Sequence, residues 1–156
     1  MLEAKLTSIY KQVMWLARQP EITPANARGW YTHVVSARLR RDVRRFTGEV
    51  SKQALKEGAT LRLEHFKRIQ TELTKLITRH LKEVDSAKEF VKMVIDYEQV
   101  HIVTLKENYE AMKAKGDYKK AGIELIKWKD IPHKKQNFLW GKMLRGKVSN
   151  ANEFSH

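Results

Sequence analysis

The stretch Gln99-Val100-His101-Ile102-Val103-Thr104-Leu105-Lys106-Glu107 decides the fold class of this chain. Val100, Ile102, Val103 and Thr104 are β-branched and favour a strand, because branched side chains pack well on a pleated surface. Thr104 followed three residues later by Glu107 is a capping box, in which each side chain satisfies a backbone N–H at a helix start. A strand therefore hands over to a helix at residue 104, and that helix is expected to stop near Gly116.

Working outward, Leu61 and Leu63 alternate with polar residues after Gly58 and predict a short strand ending in Glu64-His65. Ile123, Leu125 and Ile126 through Trp128 predict a third. The rest has helical periodicity. Leu2, Leu6, Ile9, Val13 and Leu16 share a face up to Pro20. Thr23-Pro24 opens a second helix, expected to run to about Phe46 with Gly48 as its stop and another short helical stretch around residues 50–56. Ile69, Leu73, Leu76, Ile77 and His80 form a further stripe. Asp85-Ser86 opens a helix carrying Phe90, Val94 and Tyr97, and Pro132 precedes a last one carrying Leu139 and Leu144. The expected class is α+β: a predominantly helical single domain over residues 1–148 with a small sheet of about three short strands, and a frayed tail over residues 149–156.

The 156 residues are long enough to bury a core, and a 42% apolar fraction lets them do so. With no Cys, disulfide scaffolds, cysteine nucleophiles and thiolate zinc sites are excluded. No apolar run reaches the length of a membrane span, and the opening residues lack the uninterrupted apolar stretch of a secretory signal, so a cytoplasmic location is expected.

Charge is the most informative bulk property. The net charge is +13, with 31 Lys and Arg against 18 Asp and Glu. Residues 28–52 hold +5 and residues 113–147 hold +8, while residues 53–112 are neutral. Segregated positive charge predicts electropositive surfaces, for which DNA or RNA is the favoured partner because each paired cation releases condensed counterions. An acidic protein partner is the alternative.

Two sets of residues carry that expectation. Arg38, Arg40, Arg41, Arg44 and Arg45 fall on one side of the predicted second helix, and guanidinium is well suited to bidentate phosphate contacts. Lys119, Lys120, Lys134, Lys135, Lys142 and Arg145 lie in the C-terminal basic block, interleaved with Tyr118, Trp128, Phe138 and Trp140. Aromatic rings between cations suit single-stranded or distorted nucleic acid.

Candidate chemistry is confined to the central segment. Glu64-His65 closes the first predicted strand, a helical insertion follows, and His101 through Asn108 runs from strand into helix. Over about residues 61–108 this order resembles the His-Asn-His type metal-dependent endonucleases. The resemblance implies phosphodiester hydrolysis with His65 as general base and Asn108 as the residue that orients it. It also implies a divalent metal, Mg²⁺ or Mn²⁺, with Glu64 and His101 as candidate ligands. Phe66-Lys67 stands where the family commonly continues with an apolar residue and Pro, and the next His after Asn108 is His133. No Gly-rich phosphate loop and no Gly-x-Ser-x-Gly elbow is present. The functional expectation is a basic nucleic-acid-binding protein, with an endonuclease as its sharper form. The alternatives are a non-catalytic interaction or inhibitor protein docking on an acidic partner, or a structural RNA-binding component.

Overall fold

Pro20 and Thr23-Pro24 shape the entry into the molecule. The computed structural model, which describes residues 1–83 and 86–155, places α1 at Leu2–Ala17 and α2 at Pro24–Val34. The Thr23 side chain accepts from the Asn26 N–H while Asn26 reciprocates at the Thr23 N–H, closing a capping box around Pro24. A π-helical turn, Val35–Leu39, leads into the short α3, Arg40–Val43. After an excursion the chain returns as α4, Ile69–His80, and α5, Ala87–Tyr97. Asp85, expected to start α5, and His156 lie outside the described residues.

These helices form the first of two compact units, Met1–Val43 with Arg68–Tyr97. Its core joins Leu6, Ile9 and Val13 of α1 to Tyr31, Leu73, Ile77, Phe90 and Val94. Phe90 meets both Tyr10 and Tyr31 ring to ring at centroid separations of 5.4 and 5.8 Å. One polar chain crosses this apolar interior. The Ser86 N–H donates to Tyr10 Oη (3.1 Å), Tyr10 Oη lies 2.6 Å from His80 Nδ1, and His80 Nε2 lies 2.9 Å from the Glu89 carboxylate. Arg79 closes the chain on Glu89. The bonds at its two ends fix His80 as donor to Glu89 and acceptor from Tyr10, since a carboxylate only accepts.

The second unit comprises Arg44–Lys67 and Glu98–His156. Its strands are β1, Arg45–Ser51; β2, Leu61–His65; β3, Gln99–Thr104; and β4, Leu125–Lys127. Their order across the sheet is β2-β3-β1-β4, with β1 and β3 parallel and both outer pairs antiparallel. The helices are α6, Leu105–Lys113; α7, Tyr118–Ala121; and α8, His133–Leu139, which runs on into a π-helical turn at Trp140–Leu144. The Thr104–Glu107 capping box forms as the sequence predicts, with both reciprocal bonds present. β3 is covered on both faces. Val100 and Ile102 join Phe46, Val50, Leu139 and Leu144 in one cluster, and Val103 joins Ala111 and Ile123 in another.

The class is therefore α+β and mostly helical, with four strands where about three were expected. The additional strand is β1, in a segment read from sequence as helix up to Phe46 and again around Val50. The pairing with β3 shifts between Phe46 and Val50, around Gly48 at φ +88°, with two more residues on β1 than on β3. Phe46 and Val50 stay on one face, but Gly48 between them has no side chain to continue the apolar alternation by which a strand is recognised. The tail expected to fray instead packs in place. Asn150 and Ala151 are buried, and the Phe154 ring meets Phe46 and Trp128 at 4.8 and 5.6 Å. No described helix is long and apolar enough to cross a membrane.

Candidate nucleic-acid interface

The loop between β1 and β2 and the helix α8 form the two walls of a groove of about 1060 Å³ in the second unit. Lys56 and Arg62 stand on the loop side, and Lys134, Lys135 and Lys142 on the helix side. Glu57 is the single acidic residue in the lining. Phe138 faces the groove with half of its surface exposed. Lys135 Nζ lies 5.0 Å and Lys142 Nζ 5.5 Å from its ring centroid, so both ammonium groups make cation–π contacts with the ring. The spacing explains the arrangement. Lys134, Lys135, Phe138 and Lys142 recur along one continuous helical path, while Gln136 and Leu139 turn inward. Gln136 fixes the helix to the unit by donating from Nε2 to the Trp128 carbonyl at 2.7 Å.

The other basic residues are dispersed. Because α3 ends at Val43, the five arginines do not share one helix face. Arg38 lies in the π-helical turn, Arg40 and Arg41 on α3, Arg44 between the elements, and Arg45 on β1. The Arg45 N–H donates to the Glu98 carbonyl at 3.1 Å, which draws this residue into the sheet, and its guanidinium pairs with Glu153 at 3.0 Å. Lys119 and Lys120 are exposed on α7, and Arg145 is exposed just after the second π-helical turn; none of the three lines the groove.

The predicted chemical residues lie on and beside the β2–β3 pair. His65 pairs with Val100 at the start of β3, and its Nε2 lies 2.7 Å from Glu98 Oε2. The carboxylate requires the proton on Nε2, which leaves Nδ1 as the acceptor nitrogen. Asn108, expected as the orienting residue, sits in the first turn of α6, beyond the opposite end of β3 from His65; the side chain bonded to His65 is Glu98. Glu64 and His101 face each other across the strands, both buried. Glu64 accepts from the Tyr118 hydroxyl. His101 Nδ1 lies 2.6 Å from Thr47 Oγ1, and its ring is stacked on Phe66 at 4.5 Å with Tyr118 edge-on at 5.2 Å. Burial lowers the His101 pKa to about 4. Among the described residues no three His, Cys, Asp or Glu side chains converge as a metal site would require. Glu64 and His101, the pair expected as ligands, are each hydrogen-bonded to a hydroxyl, and the Phe66 and Tyr118 rings flank His101.

No family model matches this chain, and no curated protein or solved structure matches it either. The site is therefore read from its own chemistry. Lys56 and Arg62, which line the groove, lie in the stretch whose charges cancel in sequence order, so segment charge does not point to them. Glu98, between Tyr97 and β3, carries no local motif, and only the β2–β3 register brings His65 to it. The groove has one signal in the sequence: Phe138 is the aromatic in the basic block with Lys three before and four after it.

Proposed function

We propose that this chain is a basic, cytoplasmic nucleic-acid-binding protein whose second unit grips phosphates in the Lys56–Lys142 groove. The observation that supports this reading is the charge of the lining, five cations to one carboxylate. Among the described residues none of the five has an ion-pair partner, and unlike Lys119, Lys120 and Arg145 they line one groove together. Unpaired cations gathered in a concavity focus positive potential where a phosphodiester backbone can lie. The second unit as a whole carries 18 Lys and Arg against 10 Asp and Glu. The test is binding of fluorescein-labelled DNA and RNA over a range of salt. A steep fall of affinity with salt is expected; no binding of either at low salt overturns the reading and favours an acidic protein partner.

The His65–Glu98 pair supports a hydrolytic form of the same proposal. A ring held by a carboxylate on Nε2 presents Nδ1 to accept a proton from water attacking a phosphodiester. The pair lies within reach of solvent, the His65 side chain being 29% exposed. Plasmid nicking, with and without Mg²⁺ or Mn²⁺, is the measurement. Nicking that survives His65→Ala removes this assignment and leaves binding alone.

A further inference from the structure

We infer that the groove is a single-stranded nucleic-acid site, in which one unpaired base stacks on Phe138 while the flanking phosphates lie on Lys56, Arg62, Lys134, Lys135 and Lys142. This inference rests on the nucleic-acid reading above and adds the strandedness of the ligand. Phe138 carries it. A half-exposed phenyl ring is not needed for packing, since Leu139, Met143 and Leu144 already supply the helix's contribution to the core. The surrounding cations would suffice for a duplex, whose bases are stacked on one another and offer no open face. A half-exposed ring in the wall of a cationic groove suits a ligand with a free base face. The two ammonium groups now over the ring, at 5.0 and 5.5 Å, are on flexible stems; a base stacking on Phe138 would displace them onto its own flanking phosphates. Arg62 is similarly preset: its Nη1 donates to its own strand's Leu61 carbonyl at 2.8 Å, which fixes the guanidinium at the groove edge. The rings that could compete for this role are otherwise engaged. Trp140 Nε1 donates to the Ala151 carbonyl at 2.8 Å, and Trp128 packs against Phe46 and Phe154.

The shared chemistry is a phosphodiester chain with unpaired bases, whether DNA or RNA. The experiment measures anisotropy of labelled dT20, U20 and a 20-base-pair duplex with the full chain and with Phe138→Ala, Phe138→Trp and Lys134→Glu/Lys135→Glu. Tighter binding of one or both single strands than of the duplex is expected, and the stronger of dT20 and U20 identifies the source. Phe138→Ala is expected to weaken single-strand binding roughly tenfold and bring the single-strand-to-duplex ratio near one, whereas Phe138→Trp retains the preference. Lys134→Glu/Lys135→Glu lowers affinity for every ligand. If the duplex binds as tightly as the single strands and Phe138→Ala changes nothing, the inference fails while the nucleic-acid reading stands. If none of the three ligands binds, both fail. Circular dichroism on each variant separates loss of binding from loss of fold.

Discussion

At the scale of single residues, two titrating groups set opposite ends of the acid response. His101 is neutral in the fold down to about pH 4, because burial penalises its charged form. In the unfolded chain it takes a proton near pH 6.5. Between those values the unfolded state holds more protons, so stability falls as pH falls, approaching a loss of about 3 kcal/mol below pH 4. The Glu49 carboxylate, 3.9 Å from Nδ1, opposes this shift without cancelling it. His101→Gln is expected to flatten the melting temperature of the second unit between pH 6.5 and 4; an unchanged slope would show that the ring is not the titrating group. Glu89 behaves differently. Its hydrogen bonds from Arg79 and His80 lower its pKa to about 2. Its contribution is complete above the unfolded value near 4.5 and disappears as pH drops from there towards 2. With the side chain 40% exposed, solvent screening keeps that contribution within about 1 kcal/mol. Glu89→Gln should therefore lower the melting temperature of the helical unit slightly at pH 7 and not at pH 2.

At the scale of elements, the C-terminal segment shows how a tertiary contact replaces a local signal. β4 pairs with β1 only over Glu49–Ser51, so the other half of β1 has β3 on one side and no strand on the other. Asn150 fills that place: its Oδ1 accepts from the Phe46 N–H and its Nδ2 donates to the Phe46 carbonyl, both at 2.9 Å. Its side chain thus does for one residue what a strand neighbour would do. Asn150→Ala leaves a buried N–H and C=O unsatisfied and is expected to cost about 1–3 kcal/mol in urea unfolding, more than the surface substitution Asn152→Ala. A similar contrast separates readable from unreadable elements. The Thr104–Glu107 box and the Thr23-Pro24 start were legible because a cap is written in residues three apart. β1 was not, because Gly48 leaves a gap in the apolar alternation between Phe46 and Val50, and Arg44-Arg45 next to an amphipathic helix resembles its continuation.

At the scale of the whole molecule, charge is distributed by fold rather than by sequence order. The neutral middle of the chain splits between the two units, and the part falling in the second contributes Lys56 and Arg62 to a groove built otherwise by the C-terminal block. Binding at that groove is expected to be strongly salt-dependent. Five phosphate contacts on a single strand correspond to a log–log slope of about −3.5, and Lys134→Glu/Lys135→Glu should reduce its magnitude by about 1.4 or more. A slope near zero would place the ligand elsewhere or make it uncharged. Sequence alone determined the α+β class, the helix starts, the strand at Gln99–Thr104 and the overall positive charge, because periodicity, capping and composition are local or additive. Tertiary structure decided that Arg45 enters a strand, that His65 meets Glu98 rather than Asn108, and that Asn150 closes the sheet edge. It also decided which cations surround Phe138. Each of these depends on strand register or chain crossing, which bring together residues as far apart in sequence as His65 and Glu98, at 33 positions, and Phe46 and Asn150, at 104.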